Sequence, residues 1–161
     1  LEPGTVDKLE LFSGNGDYEL DGISMYLHHG QLEPGKPAAL PNAPDDTFAG
    51  LDPGNDSDLV LFGHSHVQFQ RQIGRRLYIN PGSIGQPRCG SLHACYGVFL
   101  DGTYEPRQVT YDPAPWLNAL DRITPLKQFP DFHKWLREGL LSGYGIGERE
   151  PWTQFAAEGY C

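Results

Sequence analysis

The side chains best suited to chemistry in this chain are its histidines and the polar residues of one tight loop. His64 and His66 stand two apart in GHSH, directly after the apolar run Asp58 to Phe62 (DLVLF). If strand geometry continues, both imidazoles leave the same face with about 6.6 Å between their α-carbons. That spacing suits ligands of one metal ion or of two adjacent ions. Neutral imidazole is the commonest protein metal ligand, and two-metal hydrolytic sites hold their ions roughly 3.5 to 4 Å apart. His28 and His29 supply a third imidazole, because they close the segment Gly22 to His29 (GISMYLHH) just before Gly30, where the backbone can turn. Only one of that pair can face a site, since neighbours on a strand alternate. Taken singly, each feature also fits solvated surface histidines; taken together they make a set of three.

The loop is Asn80-Pro81-Gly82-Ser83, with Pro and Gly where a type II turn prefers them. Val67 to Ile73 (VQFQRQI) alternates strictly, and Arg76 to Asn80 (RLYIN) reads as its partner strand across a turn at Gly74 and Arg75. Ile73 then opposes Arg76, Phe69 opposes Asn80, and His66 falls level with Ser83. Two polar loops would meet at the carboxyl end of a buried strand, where open α/β sheets bind ligands. Asn80 and Ser83 are therefore the substrate-side candidates.

The elements that must hold these residues follow from the pattern. Asp58 to Phe62 has the character of a strand buried on both faces. Lys8 to Ser13 (KLELFS) and Gly22 to His29 read as strands of a hairpin, and Asn15-Gly16 within Gly14 to Asp17 (GNGD) is a type I′ turn signal between them. Gln31 to Ser57 carries Pro34, Pro37, Pro41, Pro44 and Pro53, which predicts a surface excursion with one helical turn near Asp45 to Gly50. Ala94 to Asp101 and Glu105 to Tyr111 form another hairpin around Asp101-Gly102, while Pro115 to Ile123 and Asp131 to Leu141 space their apolar residues as amphipathic helices do. Ser142 to Cys161 reads as an irregular tail.

At 161 residues the chain is long enough for one domain with a real core, and its net charge of -9 disfavours sequence-independent binding to nucleic acid. No apolar run approaches the roughly 18 residues of a membrane span, so a cytoplasmic location is expected. Cys89, Cys95 and Cys161 are odd in number and lack C-x-x-C spacing, which predicts free thiols.

The order LHHG, DLVLFGHSH and LYINPGSIGQPR resembles the C-terminal half of the calcineurin-like metallophosphoesterase family, particularly its small bacterial and archaeal phosphodiesterase branch, over Leu9 to Leu141. The resemblance implies an α/β fold, part of a layered α-β-β-α sandwich that is β-rich with C-terminal helices. It implies two divalent metal ions, drawn from Mn, Fe, Zn or Ni, acting on a phosphate-ester substrate. His29 and His64 would bind one ion and His66 the other, and His28 takes a place that the family usually fills with an apolar residue. The stretch Asp131 to Gly139, following FP, is similar to the family's closing helix. Two such cations neutralise phosphate oxygens, activate a water and stabilise the leaving oxygen.

The family's D-x-H, GD-x-x-D and GNHD or GNCD motifs supply its carboxylate and Asn ligands. GNGD is not a counterpart: Asn15 lies too close to His29, and Gly16 has no side chain to act as ligand or acid. Asp58 is at the far end of its strand, roughly 20 Å from His64 at about 3.3 Å per residue. Asp45, Asp46, Asp52 and Asp56 lie on the Pro-rich excursion. The reading is thus the C-terminal part of a single phosphoesterase domain over residues 1–141, with an upstream segment supplying the remaining ligands and little activity expected of this chain alone. Two other readings stand beside it. One is a protein-binding scaffold of the same fold, as in the retromer subunit. The other is a single zinc held by the three imidazoles with an open water position.

Overall fold

The computed structural model describes residues 16–20, 22–30 and 36–161. The chain divides into two compact units: Leu1–His64 with Gln70–Ile79, and Ser65–Phe69 with Asn80–Cys161. A five-stranded sheet takes the order β1-β2-β3-β5-β4, where β1 is Gly16–Leu20, β2 Ile23–His28, β3 Leu59–Phe62, β4 Gln68–Ile73 and β5 Arg76–Pro81. β3 runs parallel to both β2 and β5. Its Leu59, Val60 and Phe62 are buried, as expected of a central strand. β4 ends at Ile73 and β5 begins at Arg76, with Gly74 at φ 58° between them, so the expected two-residue reversal is present.

The first hairpin turns at a different place from the one the sequence suggested. β1 pairs antiparallel with β2, Leu20 opposite Ile23, so the reversal falls between these two residues, with Gly22 at φ 79°. Gly16 and Asp17 are strand residues opposite Leu27 and Tyr26. Asp21-Gly22 carries the same turn signal as Asn15-Gly16, so local chemistry offered two equal candidates and pairing with β2 chose between them. Gly14, Asn15 and the strand read at Lys8 to Ser13 lie outside the described residues.

The Pro-rich excursion is more than surface. It contains the expected helical turn, a 3-10 helix at Asp45–Leu51, whose Phe48 and Leu51 are buried. Phe48 meets Phe62 and Tyr78 edge-on at ring separations of 6.0 and 5.4 Å, and the Arg71 guanidinium covers its ring at 5.1 Å. Nearby, Arg76 is buried and donates to the carbonyls of Ser57 and Asn55 while pairing with Asp52. The Asp52 carboxyl is held below its ordinary range, first by the Gly54 backbone N–H and then by Arg76. Arg76→Ala should therefore cost about 2–4 kcal/mol, read from the urea midpoint, because it leaves the buried Ser57 carbonyl and the part-buried Asn55 carbonyl without this donor. The Asp52 contribution has the usual sign for a depressed carboxyl: present above the unfolded value, lost as pH falls through the lower folded one.

The second unit contains a two-stranded sheet of β6 (His93–Leu100) and β7 (Thr103–Thr110), turned at Asp101 (φ 49°) and Gly102 (φ 77°) as the dipeptide predicts. Helices follow at α1 (Ala114–Asp121) and α2 (Pro130–Leu141), where amphipathic spacing placed them. The segment read as an irregular tail contains a third helix, α3 (Trp152–Ala157), and Phe155 on it is 0% exposed. The Phe155 and Tyr160 rings meet edge-on at 6.1 Å, Tyr160 in turn meets Phe69, and the backbone carbonyl of Cys161 accepts from Gln68 N–H. Free thiols were expected, but Cys89 and Cys161 form a disulfide; their 72-residue separation leaves no spacing motif to read. Cys95 is free and buried. No helix among the described residues is long and apolar enough to cross a membrane.

Candidate metal centre

β2 and β3 end together, His28 opposite Phe62, and the contact continues one step further as Gly63 N–H donates to the His29 carbonyl at 3.0 Å. There the strand geometry stops. His64 (φ 68°) and His66 (φ 62°) both occupy the left-handed region, so the same-face spacing expected of a continued strand does not hold. With no parallel pairing to β2 past Phe62, the ladder no longer keeps GHSH extended. Each left-handed non-glycine residue costs roughly 1–2 kcal/mol, and strain of this kind concentrates at functional sites.

In the first unit the His29 and His64 rings lie 5.7 Å apart, edge to face. Gly30 makes that approach feasible: it sits at φ 121°, and a Cβ there would be 2.6 Å from the His64 Cβ and 3.3 Å from the Gly63 carbonyl oxygen. His28 faces a different task. Its Nδ1 accepts from Gly30 N–H at 2.9 Å, and burial, then the neighbouring His29, push its pKa down, which suits a neutral acceptor. Of the adjacent pair, His29 is the one whose ring lies beside that of His64.

Within the second unit, His66 Nδ1 lies 2.8 Å from the Gln86 carbonyl. A carbonyl only accepts, so Nδ1 carries the proton and the lone pair of the neutral ring is at Nε2, the tautomer that carbonyl partners select in metal-binding histidines. Ser83 supports this contact, since its Oγ accepts from Gln86 N–H at 3.0 Å and its carbonyl accepts from Cys95 N–H at 2.8 Å. Asn80 is 0% exposed; its Nδ2 donates to Ser65 Oγ and its Oδ1 accepts from Gly82 N–H, both at 3.0 Å. Gly82 takes the positive φ of 84° that the turn requires, with its α-carbon packed where a Cβ would be 2.6 Å from Cys95. Asn80, buried, thus holds Ser65 and the turn at Gly82, and the half-buried Ser83 holds the loop at Gln86. Gln86 escaped the sequence reading because it acts through its carbonyl, which every residue type carries.

Among the described residues, no three His, Cys, Asp or Glu side chains converge closely enough to hold a metal ion. Three carboxylates of the excursion are paired elsewhere: Asp45 with Arg71, Asp52 with Arg76 and Asp56 with Arg75. Asp58 accepts from Ser24 Oγ at the opposite end of β3. The neighbouring His29 and His64 rings offer imidazole nitrogens only, whereas a hydrolytic dinuclear centre also needs carboxylate oxygens. The described donor set is therefore partial.

Residues 4–100 match the calcineurin-like phosphoesterase superfamily domain, whose members generally use divalent metals. The chain is similar to the uncharacterized protein MJ0912 of Methanocaldococcus jannaschii, at 31% identity over 121 residues, or 65% of this chain and 44% of that protein. Among solved structures it is similar to the hypothetical protein PH1004 of Pyrococcus horikoshii, with a TM-score of 0.64 at 16% identity, covering 88% of this chain and 54% of the other. The shared feature with the latter is the fold: mixed sheet plus helices of the α/β class. The chain spans about half the length of these relatives.

Proposed function

The chain belongs to the calcineurin-like phosphoesterase superfamily, and from that premise we propose that it carries the histidine half of a metal-dependent phosphoesterase centre. The observation that supports this most is the His29 and His64 ring pair, held by the Gly30 approach. In this reading His29 and His64 are ligands of one divalent ion and His66, with Nδ1 tied to Gln86, is a ligand of a second. The substrate is a phosphomonoester or phosphodiester. When bound, the ions would supply Lewis acidity toward the phosphate oxygens. Asn80 and Ser83 act as positioning residues for the loops around His66. Carboxylate and Asn ligands come from an upstream segment, the ions are Mn, Fe, Zn or Ni, and the compartment is the cytoplasm.

Turnover of bis(p-nitrophenyl) phosphate with Mn²⁺ tests the reading. This chain alone should give little or none, and the protein extended by the upstream segment should give metal-dependent hydrolysis that falls about a hundredfold or more in His64→Ala. Manganese-dependent turnover by the 161-residue chain would refute the shared-ligand part. An extended protein indifferent to metal, or to His64→Ala, would refute the assignment as a whole.

A further inference from the structure

The Cys89–Cys161 disulfide lies within a group of side chains that the histidine site does not use. Cys95 Sγ is 3.8 Å from Cys161 Sγ, and Cys95 is reduced and 1% exposed. Ser91 Oγ lies 3.0 Å from Cys89 Sγ and 3.6 Å from Cys161 Sγ. The same hydroxyl is 3.0 Å from His93 Nδ1. Disulfides exchange when a thiolate attacks one sulfur and the other departs, so an attacking sulfur, a central sulfur and a leaving sulfur with a hydroxyl donor beside it are the parts required.

We propose that Cys89, Cys95 and Cys161 form an internal thiol–disulfide exchange site, in which Cys95 displaces Cys89 from Cys161. The Cys95 thiol gives up its proton and its sulfur bonds to Cys161 Sγ. The Cys89–Cys161 bond breaks, and its electron pair leaves on Cys89 Sγ, which takes up a proton. One thiol and one disulfide are present before and after, so no oxidant or reductant enters. Ser91 Oγ–H donates to the departing Cys89 thiolate while its oxygen accepts from the His93 ring. Burial pushes the Cys95 thiol above its ordinary value, and uncatalysed disulfide rearrangement in proteins takes minutes to hours, so the interchange belongs to that timescale.

The two isomers differ in what they tether. Bonded to Cys89, Cys161 holds the segment after α2 to the loop that follows NPGS, whose Gln86 carbonyl fixes the His66 ring. Bonded to Cys95, it is held to β6 and that loop is released. The exchange does not depend on the phosphoesterase reading, although it would reach His66 through Gln86.

Alkylation of the native oxidised chain at pH 8, followed by digestion without reduction and mass mapping of the linkages, tests this. The expected result is label on Cys89 together with a Cys95–Cys161 linkage, accumulating over hours; Cys95→Ser should keep Cys89–Cys161 and take up no label. Ser91→Ala should slow the labelling about tenfold, because a hydrogen bond to the leaving thiolate is lost. Cys89→Ser, oxidised in a glutathione buffer, should form Cys95–Cys161. Label confined to Cys95 with Cys89–Cys161 intact would overturn the proposal, as would no label after the exchange period. So would a reduced protein that retains one zinc on the three thiols without interchange.

Discussion

Replacing Gly30 with alanine is expected to lower stability by about 2–4 kcal/mol and to part the His29 and His64 rings, since it adds backbone strain to a contact that has no room. Two independent costs combine. A side chain at φ 121° leaves the allowed region, and the new Cβ would stand 2.6 Å from the His64 Cβ, an atom fixed to its own backbone. Relief requires the ends of β2 and β3 to separate, which breaks the Gly63 to His29 hydrogen bond. Gly74→Ala is the control: its φ is 58° but nothing lies within 4 Å of the added Cβ, so only the backbone part, about 1 kcal/mol, should appear. Urea midpoints with unchanged slopes separate the two variants. Zinc affinity should drop at least tenfold in Gly30→Ala, as it does when groups that orient metal ligands are lost, and remain unchanged in Gly74→Ala.

Phe155→Ala is expected to cost about 3–5 kcal/mol, the range for truncating a fully buried aromatic residue. Phe155 is 0% exposed and its ring is flanked by Tyr160 at 6.1 Å and Trp152 at 6.3 Å. Trp152 also carries the Arg88 guanidinium over its ring at 4.2 Å, so its fluorescence should change along with the urea midpoint. The three aromatic rings and Arg88 all lie in the second unit, so the indole reports on the packing that the substitution removes. Loss below about 1 kcal/mol would mean that residues 142–161 behave as the irregular tail that composition suggested.

The contrast between those two sites shows what sequence could convey. Local chemistry decided where it was unopposed: the reversals at Gly74 and at Asp101-Gly102, the buried run of β3 and the periodicity of α1 and α2 are properties of a few adjacent residues. It failed where two local signals competed or where distant residues settled the outcome. Asn15-Gly16 and Asp21-Gly22 are equivalent turn dipeptides, and only the pairing of Tyr18 with Met25 discriminates between them. WTQFAA is a weak helix by itself, held through the burial of Phe155. Cys89 and Cys161 meet across 72 residues.

The candidate site divides along the same line. The residue types of GHSH, HHG and NPGS were visible in the sequence. The left-handed turns at His64 and His66 were not, because nothing in the residue types demands φ above zero there. Asn80 and Ser83 read from the sequence as substrate-side polar groups; the structure gives them contacts to Ser65, Gly82 and Gln86, which residue types alone do not specify.

If His29 and His64 share one metal ion, a Zn²⁺ titration of the chain followed by imidazole-nitrogen NMR should show it without any need for turnover. The nitrogen signals of His29 and His64 are expected to shift together along a single binding curve while those of His93 and His133 stay in place. Movement of one ring without the other, or of neither at zinc concentrations that saturate the protein, would contradict the shared ion.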